Sequence, residues 1–414
     1  MWCAWRMEED IREMISFEEA YSRVLADTRP VTEVMSLPVE AALGRVLSAP
    51  VLAPAHVPNH DNSAMDGYGI RCADIAAEGV TTLTVVADLP AGDRLERTLG
   101  AGEAVRIMTG APIPPGCDGV VMQELVQRNG DRVVVPAGRK PGENIRPAGE
   151  DIRAGAEVLP KGCRLRPAHL GLLTSLGFAT IEVFRKPVVA LLSTGNEVVE
   201  PGRSLLPGQV YDSNRSGLRA ALQALGVEVL DLGLVRDDRA AIAAALARGG
   251  AEADAVITTG GVSVGDHDLV KEMLEGQGSI HFWQVAMKPG KPQAYGQLGR
   301  ARFFGLPGNP VSGLVVFLLM VRPALLRMMG ALDEPPRKMR ALFRGTLHKK
   351  HNRKDFLRGV AHFGAEGVWV ETTGPQGSGI LTSFARANVL ILLPEEPLRL
   401  VDGDLVWIQW IDHD

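Results

Sequence analysis

A chain of 414 residues is too long for one ordinary domain, and about three domains are expected. With 46% hydrophobic and 22% charged residues it is globular rather than disordered. A net charge of −5, from 44 basic and 49 acidic residues, argues against broad nucleic-acid binding.

The opening "MWCAWRMEEDIREM" turns acidic within ten residues and lacks a signal-peptide core, and Met7 offers an alternative start. Residues 8 to 27 read as a helix, with Ser16 and Glu19 forming an S-x-x-E capping box. A linker follows with prolines at 38, 50, 54 and 58. Residues 80 to 145 alternate short apolar runs with glycine and proline turns, the rhythm of a small β domain. The next stretch holds turns and one helix that Gly177 stops. From Pro187 the texture changes to strands alternating with helices, which predicts βαβ units and a parallel, doubly wound sheet. A long helix begins near Asn309. Its longest apolar run, Gly313 to Val321, is too short to span a bilayer and ends at Arg322-Pro323, so no membrane association is expected. Residues 331 to 414 return to β texture after the double proline at 335–336.

The four cysteines, Cys3, Cys72, Cys117 and Cys163, show no C-x-x-C and no pairing pattern, which favours a reducing, cytoplasmic setting. The nine histidines form no H-E-x-x-H pattern.

In a doubly wound sheet ligands bind at the carboxyl ends of the strands. Three such ends are unusual here. "LLSTGNE" offers Ser193, Thr194, Gly195 and Glu197. "VITTGGVSVGDHD" offers Gly260, Gly261, Ser263, Gly265, Asp266 and Asp268. "FFGLPGNPVSG" offers Pro307, Gly308, Asn309 as helix cap and Pro310 at the first helical position. Glycines let a backbone approach a ligand closely, and helix N-termini attract anions. Carboxylates in the same turn suggest a cation between them and a phosphate; a tight turn capped by Asp268 explains the same residues. No turn matches G-x-G-x-x-G opening a helix or G-x-x-x-x-G-K-[ST], which disfavours an ordinary dehydrogenase or P-loop enzyme. Lys288 and Lys291 in "AMKPGKPQAYG" suit an oxyanion, or are a solvated charged loop. In the early half, "NHDNSAMDGYGIR", "RIMTGAPIPPGCDGVVMQE" and "RPAGEDI" concentrate polar residues that also fit hydrogen-bonded loops.

Taken together, "DNSAMDGYGIR", "IMTGAPIP", "NIRPAGEDI", "STGNEV", "TTGGVSVGDHD", "MKPGKP" and "LPGNPVS" stand in the order found in the MoeA family, the bacterial molybdopterin molybdenumtransferases homologous to the E domain of gephyrin. The resemblance runs from about residue 16 to the C-terminus. It implies an α/β and β multidomain fold with a doubly wound, MoaB/MogA-like molybdopterin-binding domain over 180–330, on which the 1–30 helix packs. A joining domain over 31–50 and 146–179, a β-rich arm over 51–145 and a C-terminal β-barrel over 331–414 complete it. The implied reaction takes adenylylated molybdopterin and molybdate to molybdenum cofactor and AMP, with magnesium (Mg2+). The implied assembly is a homodimer with shared sites. A molybdopterin adenylyltransferase acts upstream, and apo-molybdoenzymes or their chaperones act downstream.

The residues fit that chemistry. Glycine turns supply donors for a pyrophosphate, Glu197, Asp237 and Asp268 are hard-oxygen candidates for magnesium, and Lys288 and Lys291 face a dianion. The pterin dithiolene supplies the sulfur ligands of molybdenum, which accounts for the absence of clustered cysteine. Asp61, Thr109 and Asp151 match family active-site positions expected to reach the cleft from a neighbouring subunit or domain. Arg358 in "DFLRG" and Ser378 in "GPQGSG" match two more. Many members carry lysine where this chain has Gln284, so one cationic contact is lost. Other readings of the α/β part are a molybdopterin adenylyltransferase-like enzyme, a CinA-like nucleotide-cleaving enzyme, or an oligomeric scaffold. The flanking β regions and "DNSAMDGY" speak against the first, "DNSAMDGY" and "MTGAP" against the second, and the lack of any stretch resembling gephyrin's long linker or fused second enzyme domain against the third; no pattern separates molybdate from tungstate.

Overall fold

The computed structural model describes residues 14–261, 270, 280–332, 335–365 and 367–411. Ser263, Gly265, Asp266 and Asp268 therefore lie outside the described residues.

Of the helix read over 8–27, residues 8–13 lie outside the described residues, and the described helix is Phe17–Asp27. Ser16 takes the N-cap, its hydroxyl accepting from the Glu19 amide at 3.1 Å. Met14–Ile15, read as helix, instead add a short parallel strand beside His281–Val285. Ala20 and Val24 are buried on one face of the helix, four apart, and pack on the α/β core.

That core surrounds a seven-stranded sheet in the order Met14–Ile15, His281–Val285, Pro292–Leu298, Ala301–Leu306, Ala255–Thr259, Val188–Thr194, Glu228–Val235. The last four strands are parallel. Val189, Leu191 and Ile257 face one side and Ala190, Leu192 and Val256 the other, and all are buried, as a sheet covered on both faces requires. The sheet is not parallel throughout: Pro292–Leu298 runs antiparallel to both neighbours, because the chain returns to Ala301–Leu306 through the two-residue turn Gly299-Arg300 instead of a crossover helix. Helices Ser213–Leu225 and Arg239–Glu252 make the crossovers.

The helix after the third turn is longer than its apolar run. Pro310–Val316, a π turn over Phe317–Val321, and Arg322–Met328 continue as one 19-residue element. It passes Pro323, whose ring crowds the carbonyl four residues back, and the wider turn beforehand accommodates that crowding. By length and composition the helix could cross a membrane, yet 67% of its apolar window is buried in the protein, and it is the spine of the α/β core.

The arm is a six-stranded sheet in the order Gly119–Met122, Gly67–Ile70, Glu103–Ile107, Val80–Leu89, Arg132–Pro136, Gln127–Asn129. Between arm and α/β part, Val39, Leu47, Leu159, Leu165 and Leu173 share a core. Strand Thr180–Phe184 pairs with Val34–Pro38 and sends Ile181 and Val183 into it, so this packing runs past residue 179. The carboxyl-terminal part is a closed five-stranded barrel: Lys354–Gly364, Gly367–Thr372, Lys338–Phe343, Leu405–Trp410 and Val389–Leu393, which pairs back with the first. Its edge accepts Met287–Lys288 as a short parallel strand, seaming barrel to α/β part.

Candidate active site

The register brings the three glycine-polar turns to one edge. Ser193 pairs with Thr259 and Thr259 with Leu306, so all three strands end at the same level, and Thr194 pairs with Val235 beside them.

Backbone contact then closes the turns on each other. Gly260 has φ +86°, and a Cβ there would stand 2.9 Å from the Thr194 carbonyl oxygen. Gly261 follows with φ +73°. The Gly260 amide donates to the Leu306 carbonyl at 3.1 Å, and a Cβ added at Gly308 would reach Gly260 Cα at 3.7 Å. At Gly260 the positive φ and the close carbonyl together favour glycine, whereas Gly308 has room for a Cβ.

Not every expected donor is available. Pro310 lacks an N–H, and the Val311 amide donates to the Ser378 carbonyl at 3.1 Å. Asn309 stands at the N-cap, but its side chain makes no capping bond. The third turn therefore contributes shape more than donors, and Ser378 reaches it through backbone. Ser193 is buried, and its hydroxyl donates to Oδ2 of Asp212 at 2.5 Å beneath the turn. Asp212 in turn caps Ser213–Leu225 and accepts from Nε of Arg215 at 2.9 Å. Arg215 also holds Asp231 and Glu200. Asp212, Asn214 and Arg215 were not singled out in the sequence; "YDSNR" after a short strand is the only signal they leave.

Glu197 and Asp237 lie at this edge, both exposed. Oδ2 of Asp237 accepts from the Asn196 amide at 3.1 Å, and the Asp237 amide donates to Oδ1 of Asn196 at 3.3 Å, so the two loops face each other. The Glu197 carboxylate folds back over Gly195. Among the described residues no three His, Cys, Asp or Glu side chains gather as a metal site.

Lys288 belongs to the seam with the barrel. Its Nζ lies 3.3 Å from Nε2 of His351, which is 3.5 Å from Oδ1 of buried Asp355. Burial, then Lys288, Arg353 and Lys349, holds the imidazole below the usual histidine range; burial raises the Asp355 carboxyl. The Lys291 carbonyl accepts from Val285 at 2.8 Å, and Gly290 packs against Val316, so the "MKPGKP" loop is seated on the core helix. Arg358 is fully buried. It donates from Nε to Ser383 Oγ at 3.1 Å and from Nη2 to the Gly377 carbonyl at 3.0 Å, bracing the loop that carries Ser378. Burial brings its pKa down to about 10.

The three early motifs meet in one cluster. Asp61 Oδ1 accepts from the Ala148 amide at 2.7 Å. Asp66 Oδ1 accepts from both the amide and the hydroxyl of Thr109, each at 2.7 Å, which holds its carboxyl below the usual range. The Asp151 amide donates to the Val57 carbonyl at 3.0 Å. Every bond just named closes within residues 57–151.

With this geometry in place, likeness to known proteins covers nearly the whole chain. The MoeA N-terminal region (domain I and II) matches residues 15–177, the probable molybdopterin binding domain 190–327, and the MoeA C-terminal region (domain IV) 340–410. Molybdopterin molybdenumtransferase of Haemophilus influenzae is 40% identical over 403 residues, spanning 97% of this chain and 99% of that protein. Molybdopterin molybdenumtransferase 2 of Mycobacterium tuberculosis is 37% identical, spanning 93% and 97%. The crystal structure of a molybdopterin biosynthesis MoeA protein from Pyrococcus horikoshii superposes with a TM-score of 0.84 at 30% identity, covering 96% of this chain and 100% of that one. The three matched regions follow one another along most of the chain, and relatives at 37–40% identity span nearly its full length, so the chain belongs to the MoeA family of molybdopterin molybdenumtransferases.

Proposed function

We propose that this chain is a transferase of molybdenum cofactor biosynthesis that inserts molybdenum into molybdopterin. The finer reading is that it consumes adenylylated molybdopterin and molybdate and releases AMP. The carrying observation is the convergence of the Thr194, Gly260 and Gly308 turns at one sheet edge, where a phosphate-bearing ligand can approach bare backbone.

The residues take distinct parts. The Gly260–Gly261 turn receives the pyrophosphate, its two left-handed glycines leaving room for close approach. Lys288 and Lys291 attract molybdate as point charges from the seam side. Glu197 and Asp237 are hard-oxygen donors on facing loops, and two carboxylates with substrate phosphate oxygens and water suit magnesium. When bound, magnesium neutralises phosphate charge; Glu197 and Asp237, with Asp268, would hold it. Asp61, Thr109 and Asp151 serve the turns of a second copy in a homodimer, a reading supported by a polar cluster whose hydrogen bonds named above all close within residues 57–151. The setting is cytoplasmic, between a molybdopterin adenylyltransferase and the apo-molybdoenzymes or their chaperones.

The test is a single-turnover assay with adenylylated molybdopterin. Molybdate-dependent release of AMP, with molybdenum recovered on the pterin, is expected. Consumption of ATP with formation of the adenylylated pterin would instead assign the preceding step.

A further inference from the structure

Asn214 occupies the first turn of helix Ser213–Leu225. Its Nδ2 donates to Thr259 Oγ1 and to the Gly308 carbonyl, both at 2.7 Å. A carbonyl can only accept, so Gly308 dictates which end of the amide faces the turns. One side chain thereby ties the ends of two different strands.

We propose that Asn214 is a positioning residue of the molybdenum-transfer site, setting the separation between the Thr258–Gly261 and Pro307–Pro310 turns and hence the width of the opening that receives the phosphate-bearing ligand. This rests on the functional reading above.

Three features carry it. Among the described residues the two turns are otherwise joined by the Gly260 amide bond to the Leu306 carbonyl at 3.1 Å. The platform is rigid: two residues earlier, Asp212 caps the helix and is clamped by Arg215, itself held by Asp231 and Glu200. The hydrogen-bond arithmetic also favours an anion. Asn214 spends both amide protons, and the Thr259 oxygen accepts one of them, which leaves the threonine proton for a different acceptor. A carboxylate at 214 would reverse this polarity. It cannot donate, it would take the Thr259 proton, and it would set a negative oxygen against the Gly308 carbonyl.

The experiment compares wild type, Asn214→Asp and Asn214→Ala in three measurements. These are steady-state AMP release against adenylylated molybdopterin and against molybdate, thermal unfolding, and amide hydrogen exchange over 258–261 and 306–309. Asn214→Asp should raise the half-saturating pterin concentration roughly tenfold or more, with the molybdate requirement unchanged. Both variants should exchange faster in the two turns while remaining fully folded at the assay temperature. Wild-type kinetics together with wild-type exchange would overturn the proposal, as would an activity loss no larger than the fraction of protein unfolded at the assay temperature. If wild type itself releases no AMP, the functional reading fails, and the exchange comparison still decides whether Asn214 sets the turns.

Discussion

Nζ of Lys288 stands 3.3 Å from Nε2 of His351, so a lysine expected to meet an oxyanion is steadied by an imidazole of the barrel. His351 is also faced by Asp355, Lys349 and Arg353. Burial and the three cations lower its pKa, so the folded imidazole charges at a lower pH than the unfolded one. Its stabilising contribution is therefore complete above the ordinary histidine value, about 6.5, and is lost as pH falls through the lowered one. Asp355, raised by burial, has the opposite sign: its contribution is full below the ordinary carboxyl value and fades as pH rises. His351→Gln cannot titrate. Between about pH 7.5 and about pH 5.5, wild type should lose roughly 2 °C or more of unfolding temperature that the variant keeps. Equal losses in calorimetry would show that the imidazole is not the titrating group.

Gly260 and Gly202 share positive φ but differ in space. A Cβ at 260 meets the Thr194 carbonyl oxygen at 2.9 Å, whereas nothing lies within 4 Å of one at 202. Gly260→Ala should cost about 1–3 kcal/mol and most of the turnover. Gly202→Ala should cost about 1 kcal/mol and leave turnover intact. Denaturant melts and AMP release on both proteins separate strain from site geometry.

Asp237→Asn keeps the bond from the Asn196 amide and removes the charge. Together with Glu197→Gln it should raise the magnesium needed for half-maximal turnover, each by roughly tenfold. Asp254→Asn is the control, since that carboxylate pairs with Arg185 at 2.7 and 2.8 Å in the framework. It should lower the unfolding temperature without moving the magnesium titration. A magnesium curve unchanged in Asp237→Asn would make Asp237 a loop brace.

The arm cluster predicts complementation. Asp61→Ala and Asp237→Ala chains should each be inactive alone, and a verified mixed dimer should regain part of the activity through its one intact site. Mixed dimers as inactive as their parents would argue for sites built within single chains.

Much of this protein was legible from local pattern. Alternating apolar strands and helices from Pro187 onward, Ser16 as a cap and Gly177 as a helix stop all depend on neighbours within a turn or two, where propensity and periodicity act. The glycine-polar turns could be placed at strand ends for the same reason. What chain-local pattern does not encode is which residues meet across the fold. The antiparallel insertion of Pro292–Leu298 came from strand pairing, and the 19-residue helix through Pro323 from burial that outweighs a proline's local penalty. Arg358 in "DFLRG" is expected among the site residues, and barrel closure buries it against Ser383 and Gly377, a placement that local pattern does not encode. Asn214 reads as an ordinary helix-start residue. Its importance arises because three strands of one register end beside it, a relation between residues 45 and 94 positions apart that only the folded sheet creates.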